Sequence, residues 1–114
     1  MKLTEETLDG DITRISLDGR LDIDGTQTIG DRFAYLTTSR PGRFAVDLSR
    51  VTFIASIGIR MLLTAARGQA NRGGKLVLMS PDAMGRKVLE TAGIDQLVPI
   101  AADLDGARGL LASA

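Results

Sequence analysis

Polar and apolar residues alternate along the first eighteen positions, on either side of an Asp9-Gly10 pair. A period of two is typical of β-strands, and Asp-Gly is the preferred two-residue type I′ hairpin turn. The pattern therefore predicts an N-terminal hairpin with strands over residues 3–8 and 11–18. The apolar residues Ile12, Ile15 and Leu17 do not keep one parity. We therefore expect both faces of the second strand to be partly covered.

A first helix is predicted after Gly19–Asp22, which we expect to break the strand. Asp24 is the expected N-cap, and Gln27, three residues further on, is its capping-box partner. Apolar residues then follow at i, i+4 and i+7, which is the spacing of one helix face: Ile29, Phe33 and Leu36. Arg40-Pro-Gly42 ends this helix.

The middle of the chain predicts a buried strand over Phe44–Leu48, a second apolar segment over Val51–Ala55, and a helix over roughly residues 57–70. Asn71, Gly73 and Gly74 should stop this helix. Its expected core stripe is Ile59, Leu62, Leu63, Ala66 and Ala70. A second apolar strip, Ile57, Met61 and Ala65, lies beside it and is either buried or free to bind a partner. Arg60, Arg67 and Gln69 indicate a face toward water.

The last third predicts two further strands and two further helices. Leu76–Met79 is a buried strand, and Leu97–Ile100 is a strand at a sheet edge, because proline cannot donate to a ladder. Ser80-Pro81-Asp82 should start a helix with Ser80 as N-cap and proline at its first position. Its inward residues should be Met84, Val88 and Leu89, with Gly93 as the C-cap. Asp103 should cap a final helix that runs to about Leu111.

These elements give the order β-β-α-β-α-β-α-β-α, which is an α/β fold. A hairpin followed by alternating strands and helices implies a mixed sheet with helices packed against it. We expect four to five strands, about four helices, and one domain over residues 1–114, a length that fits one core.

The amino-acid composition argues against several classes of function. The chain has 14 basic and 14 acidic residues, so its zero net charge does not favour nucleic-acid binding. It has no cysteine and no histidine, which removes disulfides, thiolate metal sites and the commonest general base. We therefore expect no enzyme, no metal and no cofactor. Without an apolar leader or an apolar run of about 18 residues, we expect a cytoplasmic protein that does not insert into membranes.

Ser56 is the main candidate for chemistry, because it opens the central helix among apolar residues with no acid or base beside it in sequence. It is either a simple N-cap, worth about 1 kcal/mol, or a serine that receives a phosphate. A helix N-terminus tolerates a phosphate, since its free N–H groups and positive dipole end attract anions. A phosphate would add roughly −1.5 to −2 charges and would repel a partner docked there.

Two other patterns in the sequence resemble known sites. Asp22, Asp24 and Asp47 resemble the acidic cluster of a phosphoacceptor receiver domain, but such a domain does not begin with a hairpin, and Lys75 begins a strand rather than following one. The simpler alternative is that Asp24 caps a helix and Asp22 lies in a turn. A serine-hydrolase elbow around Ser56 lacks its first glycine and any triad histidine, so we reject it.

The chain resembles the STAS family of anti-sigma factor antagonists over essentially its whole length. Gly19-Arg-Leu-Asp22 resembles the family's Gly-Glu-Leu-Asp turn. The stretch Asp47-Leu-Ser-Arg-Val-Thr-Phe-Ile-Ala-Ser56-Ile-Gly58 resembles its signature, commonly Asp-Leu-x-x-Val-x-Phe-Met-Asp-Ser-Ser-Gly. Gly73-Gly74-Lys-Leu and Thr91-Ala-Gly93-Ile-Asp-Gln-Leu97 resemble later family segments. Two positions depart from the signature: Ala55 replaces the acid before the serine, and Ile57 replaces a second hydroxyl residue.

The resemblance implies a partner-switching regulator of sigma-factor-dependent transcription. Its partner would be an anti-sigma factor that is also an ATP-binding serine kinase. Phosphorylation of Ser56 would release that partner, and a serine phosphatase would reset the protein. The expected partner-binding residues are Asp22, Asp24, Ala55, Ser56, Ile57, Gly58, Arg60 and Met61. The alternative is a STAS assembly subunit of a lipid-transport ABC complex or of a stress-signalling complex.

Overall fold

A computed structural model describes residues 1–112, so Ser113 and Ala114 of the predicted domain lie outside the described range. Its strands have the order β1-β2-β3-β4-β5 in one sheet, in which only the β1–β2 pair is antiparallel. This confirms the predicted α/β class and mixed sheet. The elements in chain order are β1 Lys2–Leu8, β2 Ile12–Leu21, α1 Ile23–Thr38, β3 Arg43–Ile54, α2 Ser56–Asn71, β4 Lys75–Met79, α3 Ala83–Thr91, a 3₁₀ turn Ile94–Gln96, β5 Ile100–Ala101 and α4 Leu104–Ala112.

The N-terminal hairpin is present, but its loop has three residues rather than two. Leu8 pairs with Ile12, which leaves Asp9, Gly10 and Asp11 in the loop. Gly10 and Asp11 both have positive φ angles, of 81° and 59°. The predicted two-residue turn is therefore wrong, because Asp11 also adopts the left-handed conformation that aspartate tolerates better than most residues.

Strands β2 and β3 are longer than the sequence pattern predicted. Gly19 does not break β2, since the strand continues to Leu21 through shifts of its register with β3. A φ of 125° at Gly19 allows this irregularity. The two segments around residues 44–48 and 51–55 form the single strand Arg43–Ile54. The parallel pairing of β2 with β3 supplies hydrogen-bond partners for the backbone, and these keep the additional residues of both strands extended.

Helices cover both faces of the sheet. The larger core cluster joins α1, α2 and α3 to one face and includes Phe33, Leu62 and Leu89. The smaller cluster lies under α4 and contains Ala45, Val77, Ala107 and Leu111 among others. The expectation that both faces of β2 are covered is confirmed, because Ile15 and Leu17 belong to the larger cluster and Ile12 to the smaller.

Two helix starts differ from their predictions. The N-cap of α1 is Asp22 rather than Asp24, and the N-cap of α3 is Asp82 rather than Ser80. In each case an aspartate Oδ1 accepts from the amide three residues on, at 2.8 Å in α1 and 2.7 Å in α3. The predicted Asp103 cap is confirmed, since its Oδ1 accepts from the Gly106 amide at 2.8 Å. The cap therefore falls where the carboxylate reaches a free amide.

Several predicted burial assignments are wrong. Gln69, expected to face water, is fully buried. Its Oε1 accepts from the Gly42 amide at 2.9 Å, and its Nε2 donates to the carbonyls of Thr37 and Arg40. Because those groups need partners inside the protein, a buried amide side chain here joins α2 to the link between α1 and β3. Ala70 is exposed instead of lying in the core.

The C-terminal third shows smaller differences. Met84 is 72% exposed, whereas Leu89 is buried and Val88 packs partly against the core. Ala92 is the C-cap of α3, and Gly93 follows it with a φ of 76°, where glycine ends helices most easily. The last strand covers only Ile100–Ala101, because Pro99 lies before it, and the strand is at the sheet edge as predicted.

Candidate functional site

The candidate site lies where β2 and β3 end side by side. Leu21 pairs with Ile54, the last residues of the two strands, so α1 and α2 begin at the same edge of the sheet. The Ala55 amide donates to the Leu21 carbonyl at 2.9 Å. This bond holds the start of α2 next to the start of α1. It also brings the predicted residues Asp22 and Ala55 to one place.

Ser56 is exposed and occupies the first position of α2, so the alternative that it is the N-cap of this helix is wrong. Ala55 is the N-cap, with an extended backbone at φ −95° and ψ 167°, and its carbonyl accepts from the Ile59 amide at 3.1 Å. An alanine has no side-chain acceptor, and the cap makes no side-chain hydrogen bond. The serine hydroxyl is therefore presented to solvent instead of closing the helix.

The first turn of α2 leaves its amides open. Within residues 1–112, no acceptor lies against the amides of Ser56, Ile57 or Gly58, and the turn contains no acidic residue. Free amides at a helix start carry a partial positive charge. This end of α2 is thus suited to an anionic group attached to Ser56.

Gly58 was expected to bind a partner, but it is buried and has a packing role. A Cβ at this position would lie 2.5 Å from the Leu21 Cγ and 3.1 Å from the Leu21 carbonyl oxygen. Only glycine permits α2 to approach β2 so closely. Leu21 is itself fully buried. Gly58 therefore fixes the position of Ser56 relative to the sheet.

Asp22 belongs to a small charged cluster. Besides capping α1, its Oδ2 accepts from the Arg20 Nε at 3.4 Å, and the Arg20 guanidinium lies 4.5 Å from the centre of the Phe53 ring. The hydrogen bond from the Gly25 amide lowers the pKa of Asp22, and Arg20 adds to this, whereas partial desolvation opposes it. Asp22 is thus held ionised, while Asp24 is exposed in the first turn of α1.

Three large apolar side chains are exposed along the same edge. They are Ile23 at the start of α1, Phe53 at the end of β3 and Met84 at the start of α3, with exposed fractions of 60%, 43% and 72%. We call these three residues and Ser56 the Ser56 edge. Sequence reasoning missed Ile23 and Phe53 and assigned Met84 to the core. The one available signal was Phe53, an aromatic residue beside the polar Thr52 near the end of a strand.

A groove of about 280 Å³ separates α1 from α2. The predicted residues Ile57, Arg60 and Met61 line it on the α2 side, and Thr26, Phe33 and Ala34 are among those on the α1 side. Ile57 and Met61 are partly exposed and Ala65 is buried, so the predicted apolar strip is neither wholly core nor wholly free surface.

Comparison with known proteins assigns the family. A family model described as Mlab, STAS domain, matches residues 5–99. The protein belongs to the STAS family. This confirms the resemblance that the segments around Asp22 and Ser56 indicated.

Relatives of this STAS domain include anti-sigma factor antagonists. A candidate anti-sigma factor antagonist of Bordetella bronchiseptica, BtrV, is 27% identical over 114 residues, which cover 100% of this chain and 97% of the relative. The crystal structure of an anti-sigma factor antagonist from Mycobacterium paratuberculosis superimposes with a TM-score of 0.86 at 20% identity, covering 96% and 92% of the two chains. Unphosphorylated SpoIIAA gives a TM-score of 0.74 at 20% identity, covering 96% of each chain, and Bacillus SpoIIAA has also been solved in phosphorylated form.

The acidic residues of this STAS domain do not form a receiver-type cluster. Asp47 pairs with Ser16, whereas Asp22 follows the Leu21–Ile54 pair seven residues further along β3. Because β3 is irregular between these pairs, the five residues of β2 from Ser16 to Leu21 set this separation, which is about 16 Å at the usual rise of a strand. Residues 1–112 hold no group of three metal-ligating side chains. In the same part of the chain, none of the helices has the length and apolarity needed to cross a bilayer.

Proposed function

We propose that this STAS domain is an anti-sigma factor antagonist that acts by binding rather than by catalysis. Its partner is an anti-sigma factor with an ATP-dependent serine kinase domain, which docks on the Ser56 edge. Phosphorylation of Ser56 releases the partner, and a serine phosphatase restores binding. The antagonist names of several relatives support this proposal.

The observation that carries the proposal is the difference between α2 and the other helix starts. The helices α1, α3 and α4 follow an Asp-x-x-Gly sequence, in which the carboxylate accepts from the glycine amide. The helix α2 follows Ala55-Ser-Ile-Gly58, which keeps the glycine but lacks the carboxylate. A phosphate on Ser56 would supply the missing negative charge at that end.

A phosphate at this position would oppose docking for two reasons. It would place roughly two negative charges among the exposed apolar side chains Ile23, Phe53 and Met84, where a partner must remove water from the surface. Arg60, one turn after Ser56, can pair with the phosphate, because residues four apart on a helix are neighbours. The arginine would then be less available to the partner. The fold itself would tolerate the modification, since Ser56 makes no contact that closes the helix.

Ala55 replaces the acidic residue of the family signature, and this replacement favours phosphorylation of Ser56 electrostatically. An aspartate beside the serine would already satisfy the amides of the first turn and would repel an incoming phosphate. With alanine there, the phosphate has no acidic neighbour within α2's first turn. The kinase must then recognise the serine through other residues, and we assign that role to Asp22 and Asp24.

The test is a paired capture from native lysate with wild type, Ser56→Glu and Ser56→Ala as baits. We expect an ATPase-fold kinase with wild type and Ser56→Ala but not with Ser56→Glu. The recovered kinase should transfer phosphate from labelled ATP to wild type alone among these. Ser49→Glu is the matched control, because it adds the same charge to an exposed serine of β3 that lies five residues before the end of the strand.

Ala55 also allows a second candidate function. The protein would be a STAS subunit that stays bound in a lipid-transport ABC complex or a stress-signalling complex. A kinase that needs an acid beside the serine would leave Ser56 unmodified. Equal capture of a permease and its ATPase, or of a signalling complex, by all four baits would establish this role and refute the switch.

A further inference from the structure

The sheet has one long free edge, which is formed by β1. This strand has seven residues, Lys2–Leu8, and within residues 1–112 it pairs with β2 alone. The strand at the opposite edge, β5, covers only Ile100–Ala101. The pairing of β1 with β2 has no register shift, and β1 contains no proline. An uninterrupted edge strand of this length is a template on which another strand can pair.

The backbone groups on the free side of β1 belong to Leu3, Glu5 and Thr7. The Leu3 carbonyl accepts from Nη1 of Arg32, a residue of α1, at 3.3 Å, as expected for a carbonyl that β2 does not bond. Backbone groups of alternate residues point to opposite sides of a strand, so Glu5 and Thr7 follow Leu3. A carbonyl oxygen has two lone pairs, and the Leu3 carbonyl can therefore accept from another strand while it keeps Arg32.

Charged side chains of β1 and β2 form two pairs of opposite sign on one face of the hairpin. Lys2 is opposite Asp18, and Glu6 is opposite Arg14, whose Nη2 donates to the Glu6 Oε1 at 2.6 Å. The uncharged Thr4 lies between Lys2 and Glu6 on the same face, because residues two apart in a strand point the same way. The free edge is therefore positive at one end of β1 and negative at the other end.

We propose that a second copy of this chain docks on this edge, by antiparallel pairing of the two β1 strands about a twofold axis at Thr4. In this register, Lys2 of each copy lies opposite Glu6 of the other copy. The charges then alternate in sign across four adjoining strands, in the order Asp18, Lys2, Glu6, Arg14. This row occurs twice, because a twofold interface repeats each contact, and opposite charges on neighbouring strands stabilise a sheet.

The charges of β1 disfavour the neighbouring symmetric registers. A register centred on Glu5 or on Glu6 would place two glutamates directly opposite each other, which is destabilising. A register centred on Leu3 would pair only residues 1–5 and would leave Lys2 opposite Thr4. The register centred on Thr4 pairs residues 1–7 and brings opposite charges together, so a single pairing is specified.

The α1 side of the same edge carries further groups suited to an interface. Tyr35 is 70% exposed and lines a cavity of about 340 Å³ together with Glu5. Arg32 holds the Glu5 carboxylate at 3.6 Å. Tyrosine and arginine are enriched at protein interfaces. None of these residues belongs to the Ser56 edge, so the dimer does not depend on the proposed function.

The first measurement is sedimentation equilibrium of the whole chain from about 10 μM to about 1 mM, the affinity range of a small interface. We expect wild type to form a dimer whose fraction rises with concentration. Lys2→Glu and Glu6→Lys should each weaken the dimer about tenfold, because each places two like-charged pairs in the interface. An equimolar mixture of these two variants should form a heterodimer, since every pair between the copies is then of opposite charge.

The double variant Lys2→Glu/Glu6→Lys separates docking from folding. It carries both disturbances of the charge pairs within each copy, yet it should regain the dimer because the pairs between copies are restored. Lys87→Glu is the matched control, because it reverses the charge of an exposed lysine of α3. It should dimerise like wild type.

Cysteine cross-linking locates the twofold axis. The chain has no cysteine, so one introduced thiol reports on one position. Thr4→Cys should form a disulfide-linked dimer under mild oxidation, because residues at a closely spaced cross-strand pair meet the distance that a disulfide requires. Glu5→Cys should cross-link much more slowly.

Three results would overturn the proposal. Wild type that stays monomeric up to about 1 mM would show that copies do not pair at this edge. A dimer of unchanged affinity in both Lys2→Glu and Glu6→Lys would place the contact elsewhere. Faster cross-linking of Glu5→Cys than of Thr4→Cys would refute the register.

Discussion

The start of α1 and the start of α2 are built on neighbouring strands, yet one is closed and the other is open. Asp22 accepts from the Gly25 amide in α1, and its carboxylate is further held by Arg20. Ala55 leaves the equivalent amide of Gly58 without an acceptor in the described part of the chain. The same backbone arrangement therefore produces a capped helix start in α1 and an uncapped, electropositive one in α2.

The start of α2 lacks a stabilising interaction that the start of α1 has. A good N-cap contributes about 1 kcal/mol, and α2 does without it. Close packing between Gly58 and Leu21 holds the helix in position instead. The proposed modification site, Ser56, can then stay exposed beside amides that have no hydrogen-bond acceptor, while the backbone around it stays fixed.

The largest effect should come from breaking that packing. Gly58→Ala places a methyl group where the Leu21 side chain lies, 2.5 Å from its Cγ. We expect a loss of about 1–3 kcal/mol in the free energy of unfolding, measured by urea denaturation, because overpacking a rigid core strains it. Gly30→Ala in α1 is the control. Its Cβ meets nothing within 4 Å, so it should stabilise the helix by about 0.5–1 kcal/mol. Equal effects of the two substitutions would show that Gly58 has no special role.

An intermediate effect should follow from making α2 resemble α1. Ala55→Asp supplies the missing carboxylate, and we expect about 1 kcal/mol of added stability in a thermal or urea melt. Asp103→Ala, the reverse change at α4, should cost about the same. The added carboxylate should also slow phosphorylation of Ser56 in a kinase assay, since it occupies the same amides and repels phosphate. Faster phosphorylation of Ala55→Asp than of wild type would mean that the kinase recognises an acidic residue at position 55.

The smallest effect should appear in the pH dependence of α1's cap. The folded-state pKa of Asp22 lies below its ordinary value of 3.8, mainly because the Gly25 amide bonds the carboxylate. Its stabilisation is therefore fully present above 3.8 and is lost as the pH falls below that value and through the lower folded-state pKa. Asp22→Asn keeps a good cap that does not titrate. Thermal midpoints from pH 7 to pH 2.5 should fall less for Asp22→Asn than for wild type, and parallel curves would contradict this assignment.

Much of the fold followed from periodicity. The hairpin, the stripe of Ile29 and Phe33, the buried strand Leu76–Met79 and the Asp103 cap each depend on residues close together in sequence, so local rules predicted them. The continuation of β2 past Gly19 did not follow, because only the neighbouring strand β3 makes extended backbone favourable there. Gln69 was assigned to solvent for the same reason: its three backbone partners come from residues 27 to 32 positions earlier in the chain.

The site was predicted in outline and corrected in detail. Ser56, Ala55 and Asp22 were singled out from the sequence, and the fold brings their segments together at the ends of β2 and β3. The N-cap alternative for Ser56 was wrong, because the helix begins one residue earlier than the pattern suggested. The exposed side chains of Ile23 and Phe53 were missed, since apolar residues at element ends look like core in a sequence.

The class of fold, the family, and the serine on which the proposed switch depends were predictable from the sequence, because they rest on short-range spacing and on the residue types within one segment. Only the tertiary structure showed that the N-cap of α2 is Ala55 and not Ser56. It also decided that Gly58 packs on Leu21. These results depend on which atoms of different strands and helices come close together. The order of residues along the chain does not give those distances.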